Sequence, residues 1–372
     1  MKKYRVIISG GGTGGHIFPA ISIANTLRRR CPDAEILFVG AEDRMEMEKV
    51  PAAGYEIVGL PVCGFDRAHW ANNFGVVLKL CKSLRKAYTT VKRFNPDIAV
   101  GVGGFASGPT LRVAGWLGIP TLIQEQNSYA GVTNKLLAKK AARICVAYEN
   151  MHRFFPAGKI IVTGNPVRKD LEEALERQQE ARAFFGLELD KKTILVVGGS
   201  LGARTVNRSV INGLDLLFAS PDVQVIWQTG KYYKEEAVKQ LKAYRGMKIY
   251  CSDFITRMDY AYSAADLVIS RAGAGSISEL CLLKKPVILV PSPNVAEDHQ
   301  TKNALALAEK EAAVLIPDNE APEKLIPAAL EIMADKEKLE RLSRNIACLA
   351  QPNSAERIVD EIINIIETTK NR

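Results

Sequence analysis

The chain has 372 residues, 47% of them hydrophobic, and a formal net charge of +9, which suits two domains of about 150 to 200 residues each rather than one. No run approaches the ~18 apolar residues of a membrane-spanning helix, and too few apolar residues follow Met1-Lys2-Lys3-Tyr4 for a secretory signal, so the sequence reads as soluble and cytoplasmic. The seven scattered cysteines include no C-x-x-C, which disfavours disulfides and a structural zinc site.

The charge is unevenly divided. Through residue 165 there are 22 Lys and Arg against 11 Asp and Glu, whereas the remainder has 28 against 30. The basic first half should therefore meet a negatively charged partner or surface.

In chain order, the first strand candidate, Arg5–Ser9, runs into Gly10-Gly11-Gly12-Thr13-Gly14-Gly15-His16, and a helix is expected over Phe18–Leu27. Glycines let the backbone turn sharply and present N–H groups at a helix N-terminus, where the helix dipole favours an anion such as phosphate. Gly10, Gly12 and Gly15 satisfy G-x-G-x-x-G, a weak dinucleotide signal by itself. Further strands are expected at Glu35–Val39, Tyr55–Leu60, Asp97–Val102, Pro120–Gln124, Arg143–Ala147 and Lys159–Val162. Their alternation with helical stretches predicts right-handed βαβ crossovers and a parallel sheet.

Between Gly64 and Asn95 the chain is basic. Arg67, Lys79, Lys82, Arg85, Lys86, Lys92 and Arg93 face only Asp66 and are mixed with Phe65, Trp70 and Phe74. Val77, Leu80, Cys81, Leu84, Tyr88 and Val91 recur at helical spacing and predict a core-facing stripe. The exposed cations suit an anionic membrane surface, at about 1 kcal/mol each, with Trp70, Phe74, Lys79, Lys82 and Lys86 as the contact residues. The alternative is a solvated helix with ordinary core aromatics.

After Gly164-Asn165-Pro166-Val167-Arg168 a charged helical stretch, Lys169–Phe185, reads as a hinge region, and the pattern restarts. Strands are expected at Thr193–Val197, Val223–Gln228, Met247–Cys251, Asp266–Ser270, Pro286–Val290 and Ala313–Ile316, and the first of them again runs into a glycine loop, Gly198–Arg204. The strand Asp266–Ser270 leads into Arg271-Ala272-Gly273-Ala274-Gly275-Ser276-Ile277-Ser278-Glu279, an anion pocket with a carboxylate about one and a half turns into the next helix. Such a carboxylate accepts two hydroxyl hydrogen bonds, which suits a ribose diol; the alternative is an exposed helix residue. The polar loop Glu297-Asp298-His299-Gln300 could read sugar hydroxyls or be merely solvated. Asn353-Ser354-Ala355-Glu356 has the capping-box pattern ahead of the apolar stripe Ile358, Val359, Ile362, Ile363, Ile365 and Ile366. The expected fold class is α/β, two Rossmann-like domains with parallel sheets facing a cleft. The expected division is 1–165, 166–350, and a C-terminal helix, 351–372, packing back on the first domain.

These motifs, Gly11–His16, Gly103–Pro109, Glu125-Gln126-Asn127, Gly131–Lys135, Gly164–Arg168, Gly198-Gly199-Ser200 and Arg271–Glu279 with Gln300 and Asn303, together resemble one family. It is the peptidoglycan N-acetylglucosaminyltransferases that convert lipid I to lipid II, of the GT-B glycosyltransferase class. The resemblance implies an inverting hexosyltransferase, peripheral on the cytoplasmic face of the bacterial plasma membrane, with UDP-N-acetylglucosamine and lipid I as partners, no nucleic acid, no cofactor and no metal. The expected donor-binding residues are Thr13, Gly14, Gly15, Asn127, Arg168, Ser200, Phe254, Ile255, Arg271, Ala274, Glu279 and Gln300. Those expected for the acceptor are Gly14, Gly15, His16, Gly104 and Phe105. Where the family often has Tyr, His and a second Gln, this chain has Phe105, Gln124 and His299.

Inverting transfer needs a base for the attacking hydroxyl and stabilisation of the departing diphosphate. His16 is the candidate base and Glu125 its competitor. No D-x-D triplet is present, so helix N-termini with Arg168 or Arg271 would neutralise the leaving group. Three other readings compete. An NAD-dependent dehydrogenase would use the first glycine loop with Glu42 or Asp43, and a serine hydrolase would use Ser200, Asp266 and His299 in G-x-S-x-G order. A nucleic-acid binder explains only the basic half.

Overall fold

The structure is a computed structural model that describes residues 3–62, 74–167, 171, 176–199 and 201–371, without the side chains of residues 74–77 and Ala296. Residues Met1–Val167 with Gln351–Arg372 form one compact unit, and Arg168–Ala350 form a second.

In the first unit, seven parallel strands lie in the order β3-β2-β1-β4-β5-β6-β7. They are β1 (Arg5–Gly10), β2 (Glu35–Ala41), β3 (Glu56–Leu60), β4 (Ile98–Gly103), β5 (Thr121–Glu125), β6 (Arg143–Val146) and β7 (Ile160–Val162). The central strands are apolar and β-branched on both faces; β4 is buried throughout, as a parallel strand covered by helices on either side must be. Helices α1 (Gly14–Arg30), α2 (Glu46–Ala52), α3 (Phe74–Phe94), α4 (Ser107–Trp116) and α5 (Val132–Leu137) connect them.

Helix α1 begins four residues before the expected Phe18. Thr13 is extended (φ −145°, ψ 157°), and its carbonyl accepts from the N–H groups of His16 at 3.1 Å and Ile17 at 3.2 Å. Gly14, Gly15 and His16 are thus the first turn of the helix, and the glycine loop is shorter than its sequence suggests.

Two expectations are corrected. On α3 the buried positions are Ser83, Ala87, Thr90 and Val91, with Leu84 half-buried, while Leu80 (39% exposed), Cys81 and Tyr88 (41%) face outward beside Leu78. The same periodicity allowed either face inward, and the small residues won because α3 packs against α4 and the sheet, where bulk is excluded. Asn353 does not cap its helix: it is left-handed (φ 56°) with no side-chain capping bond. Ser354 instead donates to the Gln351 carbonyl at 2.7 Å, and Glu356 pairs with Arg29 at 2.8 Å.

That C-terminal helix, Ser354–Lys370, lies on α1 within the first unit and buries Ile358, Val359, Ile362, Ile365 and Ile366 in the core shared with Ile17, Ile23 and Leu27. Each such side chain contributes about 1.5–3 kcal/mol. Arg30 with Asp360 (2.6 Å) and Lys370 with Asp97 (2.8 Å) bracket the contact.

The second unit has six parallel strands in the order β10-β9-β8-β11-β12-β13. They are β8 (Lys192–Val197), β9 (Val223–Gln228), β10 (Ile249–Ser252), β11 (Leu267–Ser270), β12 (Val287–Leu289) and β13 (Val314–Leu315). Its core gathers Ile194, Val196, Trp227, Ile269 and Ile288 under the helix Ala321–Ala334.

Candidate active site

Strand order reverses between β1 and β4 in the first sheet and between β8 and β11 in the second. Open parallel sheets bind ligands beyond the carboxyl ends of the strands at such a reversal. All four strands that flank these points end in the glycine loops of the sequence: Gly10–His16, Gly103-Gly104, Gly198–Gly202 and Arg271–Gly275. The fold therefore selects the motif residues as two sites, one in each unit.

In the first unit the two loops touch. Gly104 (φ 86°) lies so close to Gly11 that a Cβ would come 2.3 Å from its carbonyl oxygen, and a Cβ on Gly103 (φ 100°) would come 2.8 Å from His16 Nε2. His16 Nδ1 is 3.1 Å from the Gly11 carbonyl and 3.4 Å from Thr13 Oγ1. A carbonyl only accepts, so Nδ1 carries the hydrogen and Nε2 carries the basic lone pair. Phe105 follows with its ring 53% exposed.

A carboxylate that the motifs do not mark stands behind this loop. Glu46, on α2, is fully buried and accepts from the N–H groups of Gly12 and Ala41, both at 2.9 Å. The signal that could have found it is the pair Gly11 and Gly40, where a Cβ would lie 2.0 Å and 2.6 Å from Glu46 atoms.

Glu125 ends β5, the strand next to β4, and is 2% exposed. Its oxygens accept from Asn127 N (3.1 Å), Gly131 N (3.0 Å) and Asn134 Nδ2 (2.8 Å). In this geometry it closes the turn that carries Asn127 and leads into α5.

In the second unit, Gln228 at the end of β9 couples two loops. Its Nε2 donates to the Gly199 carbonyl at 3.1 Å and its Oε1 accepts from Ile255 N at 3.0 Å. Sequence reasoning passed over Gln228 because nothing local distinguishes it. Ile255 is buried and Phe254 is 55% exposed. Beside them Lys234 bonds to Asp253 at 2.9 Å and holds that carboxyl below the usual carboxylate range. Ala274 opens the helix Ala274–Leu282 after Gly273 in extended conformation. One and a half turns on, Glu279 Oε2 accepts from the Tyr262 hydroxyl at 3.0 Å. Gln300 Oε1 accepts from Ser292 N at 2.8 Å and fixes the loop after β12.

Arg271, expected on a diphosphate, is bonded through Nη1 within its own unit. Its guanidinium donates to the carbonyls of Val290 and Pro291, both at 3.0 Å, and pairs with Asp318. It braces the ends of β11 and β12. Trp70, Arg168 and Ser200 lie outside the described residues, as does the side chain of Phe74. Lys79, Lys82 and Lys86 are exposed on α3, and Lys86 pairs with Glu42 at 2.7 Å.

Two competing chemistries lose their geometry. Asp266 accepts from Thr193 N and from Arg182, both at 2.7 Å, at the amino ends of β8 and β11. The hydrolase loop leaves the carboxyl end of β8, a strand of six residues at about 3.3 Å each, so the Asp of a triad is at the wrong end. A dinucleotide needs the N–H of the second glycine near its pyrophosphate, whereas Gly12 N–H is taken by the buried Glu46 carboxylate.

Comparison with known proteins covers nearly the whole chain. Residues 6–146 match the glycosyltransferase family 28 N-terminal domain and residues 193–361 its C-terminal domain. The UDP-N-acetylglucosamine–N-acetylmuramyl-(pentapeptide) pyrophosphoryl-undecaprenol N-acetylglucosamine transferase of Parabacteroides distasonis is 74% identical over 99% of this chain and 100% of that protein. The Bacteroides fragilis protein of the same description is 63% identical over 98% of this chain and 96% of its own. Among solved structures, Acinetobacter baumannii MurG superposes with a TM-score of 0.79 at 29% identity, over 97% of this chain and 99% of that one.

Proposed function

This chain belongs to glycosyltransferase family 28, and from that premise we propose that it transfers N-acetylglucosamine from UDP-N-acetylglucosamine to the 4-hydroxyl of the muramyl sugar of lipid I. The product is lipid II, the lipid-linked disaccharide of peptidoglycan synthesis. The observation that carries the mechanism is the His16 geometry: Nδ1 on the Gly11 carbonyl, at the switch point of the first sheet.

The acceptor's diphosphate lies against the first turn of α1, at Gly14 and Gly15, and against Gly104 of the neighbouring loop, where the leading helix N–H groups and the dipole favour an anion. His16 Nε2 takes the proton of the attacking hydroxyl as its oxygen bonds to the anomeric carbon. The bond from that carbon to the diphosphate breaks, and the electron pair leaves with UDP. The configuration inverts.

The second unit holds the donor. Glu279, oriented by Tyr262, accepts from the ribose hydroxyls, and the loop Asp253–Ile255 receives the uracil. The helix N-terminus at Ala274 faces the diphosphate, and Gln300 reaches the sugar. Arg271 acts through the scaffold it braces. Of the two candidate bases we take His16, because both oxygens of Glu125 are bonded within its own turn.

Among the described residues no helix is long and apolar enough to cross a membrane. The lipid acceptor is reached peripherally, at the cytoplasmic face, through α3, whose exposed Lys79, Lys82 and Arg85 stand beside the exposed Leu78 and Leu80. The test is transfer of labelled N-acetylglucosamine from UDP to lipid I with chelator present. Lipid II is the expected product; labelled sugar that never reaches lipid I overturns the reading.

A further inference from the structure

The peptide between Gly11 and Gly12 has a partner on each side. Its N–H, on Gly12, donates to Glu46 Oε2 at 2.9 Å; its carbonyl, on Gly11, accepts from His16 Nδ1 at 3.1 Å. No peptide bond in the described residues is cis, so these two groups point in opposite directions from one rigid amide plane. Glu46 and His16 are therefore joined through a single peptide unit. We propose that Glu46 is the positioning residue for His16, acting through the Gly11–Gly12 peptide, in the place where a histidine-dependent enzyme would ordinarily set a carboxylate directly on the ring.

Three features favour this over a simple loop pin. Glu46 is wholly buried, which is costly for an ionised carboxylate unless its oxygens are bonded, and both are: Oε1 by Ala41 N and Oε2 by Gly12 N. Space has been cleared for it at two separate glycines, since a Cβ at Gly11 or Gly40 would overlap its side chain. A pin could use either oxygen on any nearby N–H, yet this one fixes the orientation of the one amide that His16 reads.

The consequences for the ring follow from hydrogen-bond cooperativity. A negative charge on the amide N–H draws electron density toward the carbonyl and makes it a stronger acceptor. That holds the hydrogen on Nδ1 and leaves the lone pair on Nε2. When Nε2 takes a proton, the imidazolium keeps its bond to the same polarised carbonyl. The carboxylate is insulated from the acceptor's phosphates by the loop itself, so it aids the histidine without lying directly against the anion.

This inference rests on His16 being the base, and its test separates the two. The chain has four histidines, His16, His69, His152 and His299, so a nitrogen-15 spectrum of the full-length protein, assigned with His16→Ala, reports the His16 tautomer directly. Wild-type protein should show His16 with hydrogen on Nδ1; an Nε2–H tautomer overturns the proposal before Glu46 is changed. In Glu46→Gln the amide cannot accept from both Gly12 and Ala41, and His16 should move toward the Nε2–H form that a free imidazole prefers. With it kcat should fall about tenfold or more at unchanged KM for the sugar nucleotide. An unchanged tautomer and kcat would refute the relay. If instead His16→Ala retains full turnover, the base assignment fails while the tautomer measurement still decides the relay.

Discussion

The loop after β1 and the loop after β11 share one topology, a parallel strand, a glycine turn and a helix, at equivalent switch points of two sheets. What stands behind each differs. The first is backed by an acid: Glu46 takes one of its N–H groups, and a histidine rides in the first helical turn. The second is backed by a base, Arg271 paired with Asp318, and carries an acid, Glu279, one and a half turns on. The anion-binding end of a helix comes with the fold; in the function we propose, the side chains set around it give proton transfer to one loop and nucleotide recognition to the other. Variants in the first unit should then change turnover or membrane partition, and variants in the second should change donor affinity.

The largest effect should follow His16→Ala. Loss of a general base lowers kcat by about 10²- to 10⁴-fold, and donor affinity should not move, because His16 belongs to the first unit. Turnover with lipid I beside calorimetric binding of UDP-N-acetylglucosamine measures both. A parallel loss of donor affinity would break the comparison.

Glu279→Ala should do the reverse. Removing a charged acceptor from a ribose diol costs about 1.5–3 kcal/mol, so the donor dissociation constant should rise about 10- to 100-fold. At saturating donor, kcat should be nearly preserved. Unchanged affinity would remove Glu279 from the donor site.

The basic face of α3 comes next. Lys79 and Lys82 are exposed cations, so Lys79→Gln with Lys82→Gln should weaken partition onto anionic vesicles by about 2 kcal/mol, or roughly 30-fold. Lys86→Gln should contribute less, because its charge is already matched by Glu42 at 2.7 Å. Co-sedimentation at several salt concentrations checks this, and equal losses at all three lysines would contradict the pairing argument. Donor affinity should stay constant throughout.

The strands were legible because each is a short β-branched run bounded by glycine, proline or charge; Thr193–Val197, between Lys191-Lys192 and Gly198, is typical. The switch-point loops were legible because only glycine tolerates their close approach, as at Gly104 against Gly11. Side-chain commitments were not. Arg271 reads in sequence as a phosphate ligand, and only the fold brings Asp318, 47 positions away, against its Nη1. Glu46 is likewise 34 positions from the glycine it holds. On α3 periodicity gave the helix but not which side faced in, because Leu80 and Tyr88 fit the repeat as well as Ser83 and Ala87.

The smallest effect sharpens the comparison most. Tyr262 is 4% exposed and donates its hydroxyl to Glu279 Oε2 at 3.0 Å, leaving the carboxylate with a fixed plane in which to meet a diol. Tyr262→Phe removes that one bond and keeps the packing, at a cost of about 1 kcal/mol, so donor affinity should weaken about fivefold. The effect should vanish in the Glu279→Ala background, since residues in one network do not add. If Tyr262→Phe instead weakens the double variant as much as the wild type, the tyrosine acts on the fold and not on the carboxylate. Its pairing with Glu279 would then not be the second unit's counterpart to the peptide that orients His16.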